Sequence, residues 1–425
     1  MNQQQQNLLA QIDNRPLVIW GARMTGIGFL RFVEKHDLTV ISYIDSDESL
    51  HGKTWREVPI NSPDSLREFQ ERYPNLCIVV AVALKEDEIM LTLRDMEISE
   101  GDYINYSKYC ESFFTIDIVG TCNLKCPSCA RSMENVSIPK GVMSIQDFQD
   151  VTKKMVKEAG VINHISLYSW GEPFIHPKLD LIIKHVHSLG IATAVSTNLS
   201  LQSSDQIKKV VRAEPDYLKI SLSGYYPDTY NKTHKGGNID LVKSNLYKLR
   251  YFIDKFKASI FVEVNYHLYK HNSGKDLEKM KALCEELGFT ISTAYALVMP
   301  VERVIDYCEG QPDEQTKMVS DLLLVGIEEG IEITKEYRDK PCRFLTNQIN
   351  ISWDKSVPVC CICFNDDTAI ISDNYLNETP ESINAKKNNH PLCKRCCKHG
   401  IPPYQLALNK PEWKKIADKK LINAS

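Results

Sequence analysis

Six short apolar runs alternate with helical segments between about residues 110 and 298. The runs are FFTIDIV, HISLYSW, IATAVSTN, YLKISLSG, SIFVEVNYHLY and TISTAYALV, and segments such as SIQDFQDVTKKMVKEAG stand between them. Repeats of this kind join parallel strands through crossover helices. Six units are fewer than the eight that close a complete barrel. The pattern therefore predicts an α/β fold with a partial (β/α)6 barrel over residues 106–310, and functional loops at the carboxyl ends of its strands.

The first hundred residues show an alternation of their own. PLVIW, LTVISYID and LCIVVAV are predicted strands, and TGIGFLRFVEKH, SPDSLREFQERY and KEDEIMLTLRDM are predicted helices. We therefore expect a Rossmann-like parallel sheet over residues 1–105. The turn GARMTGIG resembles the dinucleotide-binding fingerprint, with Gly21 and Gly26 as its outer glycines and Asp45 where a ribose hydroxyl would bind.

Arg23 takes the place of the middle glycine of this fingerprint. A side chain there keeps the backbone from approaching a pyrophosphate closely, although arginine itself pairs with phosphate or carboxylate. A scaffold role and a ligand-binding role both stay open. The segments VIWGA, YIDSD and VPINSPDSL are similar to the small Rossmann-like domain that precedes sugar-modifying catalytic domains in several bacterial families. This resemblance implies a carbohydrate context.

Fourteen cysteines are present in a chain that shows no leader peptide and no apolar run long enough to span a membrane. We therefore expect a soluble, cytoplasmic protein without a membrane partner. Clustered cysteines in a reducing compartment are more often metal ligands or catalytic groups than disulfides. A net charge of -4 gives no electrostatic footprint for nucleic acid, so we expect no nucleic-acid partner.

Three of these cysteines, Cys122, Cys126 and Cys129, lie in GTCNLKCPSCA, directly after the first barrel strand. Three thiolates can ligate three irons of a cubane cluster and leave the fourth iron open to another ligand. A structural zinc knuckle is the alternative for this spacing.

The motif CNLKCPSC resembles the signature of the radical S-adenosylmethionine (SAM) superfamily. The resemblance implies a [4Fe-4S] cluster whose open iron binds SAM, an external electron donor such as flavodoxin or ferredoxin, and cleavage of SAM to a 5'-deoxyadenosyl radical. SWGEP resembles the family's GGEP motif, so Gly171 and Glu172 are expected at the SAM ammonium. Asn198, which ends the third strand, is expected at the SAM ribose; a turn-capping asparagine is the alternative.

Two further expectations concern the fourth strand and the loop that follows it. Ser221 and Ser223 alternate with apolar neighbours in ISLSG, which predicts that both face the barrel lumen. The family often carries an arginine in the next loop to pair with the SAM carboxylate. YNKTHKGG offers His234 or Lys235 at that place.

Residues 311–425 carry a second group of cysteines. This tail resembles the SPASM and twitch domains, which hold auxiliary [4Fe-4S] clusters, and NISWDKSVPVCC resembles their hairpin, with Lys355 where glycine is usual. The predicted ligands of the second cluster are Cys342, Cys360, Cys393 and Cys396. Cys361, Cys363 and Cys397 are alternates, and a four-cysteine zinc site is the competing interpretation.

The sequence thus predicts a radical SAM enzyme that dehydrogenates or epimerises a sugar or cyclitol, a small-molecule substrate. The alternatives are a maturase of a ribosomally synthesised peptide and a noncatalytic metal-binding interaction protein. Cys308 in VIDYCEG is the candidate catalytic hydrogen donor for epimerisation, although a free cysteine is commonly a small buried hydrophobe. Glu263, His267 and Tyr295 lie on predicted strands and are weaker candidates for facing the substrate.

Overall fold

The computed structural model describes residues 2–83, 86–110, 113–133, 140–338, 340–364 and 368–422, without the side chains of residues 346 and 347. The strands are β1 Leu17–Trp20, β2 Val40–Ile44, β3 Thr54–Trp55, β4 Val58–Asn61, β5 Cys77–Val80, β6 Tyr103–Asn105, β7 Phe113–Ile116, β8 His164–Ser166, β9 Ala192–Thr197, β10 Tyr217–Leu222, β11 Phe261–Leu268, β12 Thr290–Tyr295, β13 Gln348–Ile351, β14 Val357–Pro358 and β15 Ile370–Ser372.

Helices connect most of these strands and form much of the C-terminal region. They are α1 Gln3–Ile12, α2 Met24–Lys35, α3 Leu66–Arg72, α4 Glu86–Asp95, α5 Ile145–Glu158, α6 Leu179–Ser188, α7 Asp205–Ala213, α8 Pro227–Thr233, α9 Ile239–Phe256, α10 Lys275–Glu286, α11 Val301–Cys308, α12 Glu314–Leu322, α13 Ile327–Ile333, α14 Arg343–Asn347, α15 Pro380–Asn389, α16 Pro391–Lys398, α17 Ile401–Gln405 and α18 Lys410–Ile422. Within the described ranges, none of these helices combines the length and the apolar composition that a membrane crossing requires.

The first sheet has the strand order β3-β4-β2-β1-β5-β6. Its strands run parallel except at β3, which pairs antiparallel with β4. The predicted α/β class is confirmed here, because β1, α2, β2, α3, β5 and α4 fall on the six segments assigned from the sequence. The strands β3, β4 and β6 extend the sheet beyond that prediction.

The second sheet has the order β12-β11-β10-β9-β8-β7-β13, and all of its neighbouring strands run parallel. The strands β7 to β12 are the six expected barrel strands, with helices α5 to α10 between them. A seventh strand, β13, comes from the cysteine-rich tail and pairs with β7. The tail is therefore joined to the barrel by a parallel strand pair.

The N-terminal sheet packs against the base of the barrel, where the barrel strands begin. Asp216, just before β10, is buried and accepts hydrogen bonds from Arg31 Nε at 2.9 Å and from an Arg56 terminal nitrogen at 3.0 Å. Apolar side chains of both units share one core, in which Tyr217 and Phe261 pack with residues of the first sheet. These contacts close the lower end of the barrel lumen.

The tail shares an apolar core with the end of the barrel, and this core includes Tyr404 and Trp413 of the tail and Tyr269 and Ala296 of the barrel. Between β13 and β14 the chain reverses in a tight turn, in which the Ser352 amide donates to the Ser356 carbonyl at 2.8 Å. Lys355 has a φ of 74° in this turn, a conformation that favours glycine, which is the usual residue at this place in the resembling hairpin. The strand β14 then pairs antiparallel with β15.

Candidate active site

The loop of Cys122, Cys126 and Cys129 lies at the carboxyl end of β7, and all three thiols line one cavity. Backbone bonds hold the loop in place: the Lys125 amide donates to the Lys235 carbonyl at 2.9 Å. The buried Arg303 donates to the Pro127 carbonyl, also at 2.9 Å. The loop is thus fixed from two sides while its thiols face open space.

Burial governs the protonation of these thiols. Desolvation raises the pKa of Cys122 to about 12, and the charge of Glu172 adds to this shift. Desolvation also raises the pKa values of Cys126 and Cys129. Three clustered thiols of this kind stay protonated in water, and a metal centre that binds them must displace their protons.

Gly171 occupies a place where only glycine fits. A Cβ atom on Gly171 would lie 1.7 Å from the Val119 carbonyl oxygen. The neighbouring Trp170 amide donates to Asp117 at 3.0 Å, and the Trp170 carbonyl accepts from Arg131 Nε at 3.1 Å. The GEP turn therefore packs directly onto the strand that leads into the cysteine loop.

Glu172 lines the cavity, but its carboxylate is held by the protein. One oxygen accepts from the Thr197 hydroxyl at 2.7 Å, and the other accepts from the Asn198 amide at 2.8 Å. Burial raises the pKa of Glu172 to about 7 despite these bonds. Glu172 thus joins the GEP turn to the end of β9 and still offers acceptor capacity at the cavity wall.

Asn198 connects this turn to the cysteines. Its side-chain nitrogen lies 3.7 Å from Cys122 Sγ and 2.9 Å from the side-chain oxygen of Asn123. Its side-chain oxygen accepts from the Ser200 amide at 2.8 Å, which is the turn-capping bond of the alternative interpretation. Asn198 can therefore cap the turn and contact a ligand at the same time, because its side-chain oxygen caps the turn while the residue lines the cavity.

Ser221 and Ser223 are placed differently from the expectation that both face the lumen. Ser221 lines the cavity, whereas Ser223 is fully buried and hydrogen-bonds to His234 Nδ1 at 2.7 Å. Burial lowers the pKa of His234 to about 4, so its ring is neutral at physiological pH. His234 itself lines the cavity, so its assignment to the SAM carboxylate stays a prediction, whereas the alternative, Lys235, is exposed.

Two of the weaker strand candidates line the same cavity, and the third does not. His267 and Tyr295 are on its wall. Burial, followed by the charges of His234 and Lys219, lowers the pKa of His267 to about 3. Glu263 instead faces the base of the barrel, where it pairs with Arg23 and accepts from Tyr217.

Lys219 is a cavity residue that sequence analysis missed. It lies on β10, and its ammonium is 4.8 Å from the centre of the Tyr168 ring. It forms no hydrogen bond or ion pair within the described part of the chain, and it is the cation on the wall of the cysteine cavity. The sequence could have identified Lys219, because it alternates with Ser221, and alternate residues of a strand point to the same side.

A second cavity continues from the first towards the N-terminal sheet. The outer cavity, with the three cysteines, encloses about 1690 Å³ including open solvent, and the inner cavity about 1240 Å³. Lys219 and Trp170 line both. The inner cavity also reaches His164, whose Nδ1 bonds to Asn163 Oδ1 at 2.6 Å. The side-chain nitrogen of Asn163 donates to the Thr25 carbonyl, so the atom that faces His164 is the Asn163 side-chain oxygen. Nδ1 of His164 therefore carries the proton and donates to this oxygen. Nε2 of His164 carries no proton and can accept a hydrogen bond from a ligand.

The tail cysteines surround a third, apolar cavity of about 370 Å³. Its wall holds five thiols, which are Cys342, Cys360, Cys393, Cys396 and Cys397. A hydrogen bond with Cys397 lowers the pKa of Cys342, so the Cys342 thiolate forms more readily than that of an ordinary thiol. Among the described residues, no three Cys, His, Asp or Glu side chains converge as closely as a single metal ion requires.

Phe344 and Ile362 line all three cavities. They form the partition between the tail thiols and the barrel lumen. The four predicted ligands of the second cluster therefore face a cavity that adjoins the cavity of the first three cysteines. Of the alternates, only Cys397 lies on this thiol cavity.

The other cysteines have different surroundings. Cys363 is fully buried and donates to the Cys360 carbonyl at 2.9 Å. Cys361 lines the inner cavity, and its thiol also hydrogen-bonds with that of Cys360. Cys308, the candidate hydrogen donor, lies at the end of α11 in a surface depression with Glu328 and Arg338. The geometry thus corrects the catalytic role of Cys308, because the helix carries its thiol away from the barrel lumen.

The glycine-rich turn of the N-terminal sheet has its polar groups engaged. Asp45 accepts from the Ala22 amide and from the Asp47 amide, both at 2.9 Å. A Cβ on Gly26 would lie 1.7 Å from the Gly21 carbonyl, so the helix packs tightly on the turn. The carboxylate at the expected ribose position therefore stabilises the turn itself.

The donor sets fit the groups that the sequence predicts. Cys122, Cys126 and Cys129 supply three thiols beside open space, next to the acceptors of the GEP turn and the amide of Asn198. The tail offers four or five thiols around an apolar cavity, and four thiols are enough to ligate a cubane cluster fully.

Comparisons with known proteins identify a family for the central part of the chain. Residues 116–284 match the family model described as the Radical SAM superfamily. A tungsten-containing aldehyde ferredoxin oxidoreductase cofactor-modifying protein of Pyrococcus furiosus is 23% identical over 261 residues, which are 58% of this chain and 70% of the relative. A probable GTP 3',8-cyclase of Methanococcus maripaludis is 30% identical over 135 residues, and the match covers 32% of this chain and 44% of that protein.

One solved structure with a similar chain course is SuiB of Streptococcus suis bound to S-adenosylmethionine. It is 14% identical, with a TM-score of 0.44, and the match covers 73% of this chain and 78% of that chain.

Proposed function

Since residues 116–284 form a radical SAM domain, which implies a [4Fe-4S] cluster and SAM as cofactors, we propose that this enzyme dehydrogenates an alcohol carbon of a sugar or cyclitol. In this proposal Cys122, Cys126 and Cys129 hold the first cluster. Cys342, Cys360, Cys393 and Cys396 hold an auxiliary cluster. When bound, the first cluster and SAM supply a 5'-deoxyadenosyl radical, and the auxiliary cluster supplies an electron acceptor.

One observation carries the choice of dehydrogenation. Phe344 and Ile362 separate the tail thiols from the barrel lumen by a single layer of side chains. Oxidation of an alcohol carbon removes two hydrogens: one hydrogen atom goes to the deoxyadenosyl radical, and the other leaves as a proton and an electron. An acceptor held by the tail thiols would lie across this layer from the lumen in which the proposed substrate radical forms.

The lining of the lumen supports a polyhydroxylated substrate. Ser196, Ser221 and Tyr295 present hydroxyl groups, and Lys219 presents a cation without an acidic partner in the described part of the chain. His267 is neutral because burial lowers its pKa, so its ring can accept a hydrogen bond from a substrate hydroxyl. Deeper in the lumen, Nε2 of His164 is an acceptor for a second hydroxyl.

Lys219 is a further candidate for the cation that the sequence placed at His234 or Lys235. In the outer cavity its ammonium is available to a carboxylate, either that of SAM or that of the substrate. The first assignment predicts that Lys219→Met weakens SAM binding. The second predicts that SAM binding persists while turnover with the substrate falls.

Epimerisation is the second candidate, and Cys361 is the observation that favours it. This thiol lines the inner cavity, so it could return a hydrogen atom to the other face of a substrate radical. A peptide substrate remains the alternative of a different class, and its test is the same assay with a peptide.

The experiment is anaerobic turnover of the reconstituted protein in deuterated water, with SAM, reductant and a panel of sugars, cyclitols and peptides. Mass spectrometry follows 5'-deoxyadenosine and the substrate. A product lighter by two hydrogens supports dehydrogenation. An unchanged formula with one carbon-bound deuterium, abolished in Cys361→Ala, replaces it with epimerisation. Turnover of a peptide alone contradicts the carbohydrate assignment.

A further inference from the structure

Lys387 is a lysine whose side chain lies entirely inside the protein. It projects from α15 and is 0% exposed. Its ammonium donates one hydrogen bond, to the carbonyl of Gln348 on β13. It forms no ion pair with a carboxylate within the described part of the chain. Burying an ammonium without a counter-charge carries a large desolvation cost, so such lysines are rare in folded proteins.

The charged groups that act on Lys387 are thiols of the tail. When ionised, four thiols stabilise the charged form of Lys387; they belong to Cys360, Cys361, Cys363 and Cys393. Cys360 and Cys393 line the thiol cavity. The ammonium is therefore buried beside two of the predicted ligands of the auxiliary cluster, which are thiolates when a metal centre is bound.

We infer that Lys387 is the internal counter-charge of the auxiliary cluster and raises its reduction potential. A cluster that takes up one electron gains one negative charge, and a fixed ammonium in a low-dielectric interior stabilises that reduced state. This inference rests on the proposed function, in which the cluster accepts the electron released from the substrate. Lys387 acts through the ligands and does not touch the substrate cavities, so it is a positioning and tuning residue.

The neighbouring lysine provides a matched control. Lys386 lies on the same helix but is exposed, and its ammonium is 2.6 Å from Glu378 Oε1. Replacing either lysine by Met keeps the length of the side chain and removes one charge. Only the buried charge is expected to act on the cluster, because solvent and Glu378 screen the exposed one.

The test uses the full chain with Cys122, Cys126 and Cys129 replaced by Ala, so that the auxiliary cluster is the remaining one. A redox titration followed by electron paramagnetic resonance gives its midpoint potential. Lys387→Met should lower the potential by at least about 59 mV, a tenfold change in the one-electron equilibrium. Lys386→Met should leave the potential unchanged. Equal potentials in parent and Lys387→Met would overturn the inference.

If Lys387→Met does not bind the auxiliary cluster, its potential cannot be measured, and the thermal stability of the iron-free protein tests the inference instead. In the iron-free protein the variant removes an uncompensated buried charge, so its thermal unfolding temperature should exceed that of the iron-free parent. An equal or lower temperature contradicts the inference. If the parent background itself binds no iron, the auxiliary cluster of the proposed function is disproved, and the tuning role of Lys387 is disproved with it.

Discussion

Arg23 of the N-terminal sheet pairs with Glu263 of β11 across the base of the barrel. The same guanidinium reaches Asp47 at 2.5 Å. The residue that replaces the middle glycine of the nucleotide-binding fingerprint is thus engaged in joining two units of the protein. Asp45, at the ribose position, is engaged with the turn amides. Together these contacts favour the scaffold role over the ligand-binding role.

We therefore expect no tight binding of NAD to this protein. The groups that would contact a dinucleotide already have partners, and Arg23 stands where the pyrophosphate would approach the backbone. Isothermal calorimetry with NAD is the measurement. Binding in the micromolar range would contradict the scaffold role of the N-terminal sheet.

Cys308→Ala should leave cluster content, SAM cleavage and product formation unchanged. Its thiol lies in a surface depression whose residues line neither the barrel cavities nor the thiol cavity. Turnover with the true substrate, measured beside Cys361→Ala, checks this expectation. If Cys308→Ala abolishes deuterium incorporation while Cys361→Ala retains it, the hydrogen donor is Cys308 after all.

Ligation by the tail should follow the walls of the thiol cavity. Replacing Cys342, Cys360, Cys393 and Cys396 together by Ala should remove about four irons, one cubane. Cys363→Ala should keep the iron, because that thiol is bonded to the Cys360 carbonyl and lies off the cavity. Iron analysis after reconstitution gives both numbers. Loss of one whole cluster in Cys363→Ala alone would reassign the ligand set.

The contribution of Glu172 to the stability of the iron-free protein should fall as pH rises from about 4.5 to about 7. Burial raises the pKa of Glu172 to about 7, so the folded state holds the proton more tightly than the unfolded state. Its contribution is fully present below the unfolded pKa and is lost as pH rises through the folded pKa, and its size is about 3 kcal/mol. Urea unfolding of the parent and of Glu172→Gln at pH 5 and pH 8 isolates this contribution, because buried histidines such as His234 and His267 change stability in the opposite direction in both proteins. From pH 5 to pH 8 the parent should lose stability relative to Glu172→Gln; an equal pH dependence in the two proteins would contradict the prediction.

Local pattern was sufficient to predict the barrel strands and the first cysteine triplet. The lengths of the apolar runs and their spacing along the chain identify β7 to β12. The C-x3-C-x2-C motif can likewise be recognised from eight consecutive residues, without knowledge of the fold. The pairing of β13 with β7 was not predictable in the same way, because it joins Ile349 to Phe114 across more than half of the chain. Pairing between strands so far apart in the chain produces no pattern in the sequence around either strand.

The errors in side-chain roles also have a tertiary cause. Ser221 on β10 and Ser223 just after it alternate with apolar residues, yet only Ser221 reaches the cavity, since Thr233 and His234 hydrogen-bond to Ser223. The neutrality of His234 depends on this covering. Cys308 was assigned from its place after the sixth strand, but the direction of α11 decides where its thiol points. Lys219, by contrast, could have been found from its alternation with Ser221.

Formation of 5'-deoxyadenosine by the reconstituted protein tests the central claim most directly. Anaerobic protein with reductant and SAM should bind about eight irons in two cubanes and release 5'-deoxyadenosine. The variant with Ala at Cys122, Cys126 and Cys129 should lose about four irons and all SAM cleavage, while the matched variant Cys308→Ala should retain both. If the triple variant still produces 5'-deoxyadenosine, the three cysteines do not hold the cluster that cleaves SAM, and the assignment of this active site is wrong.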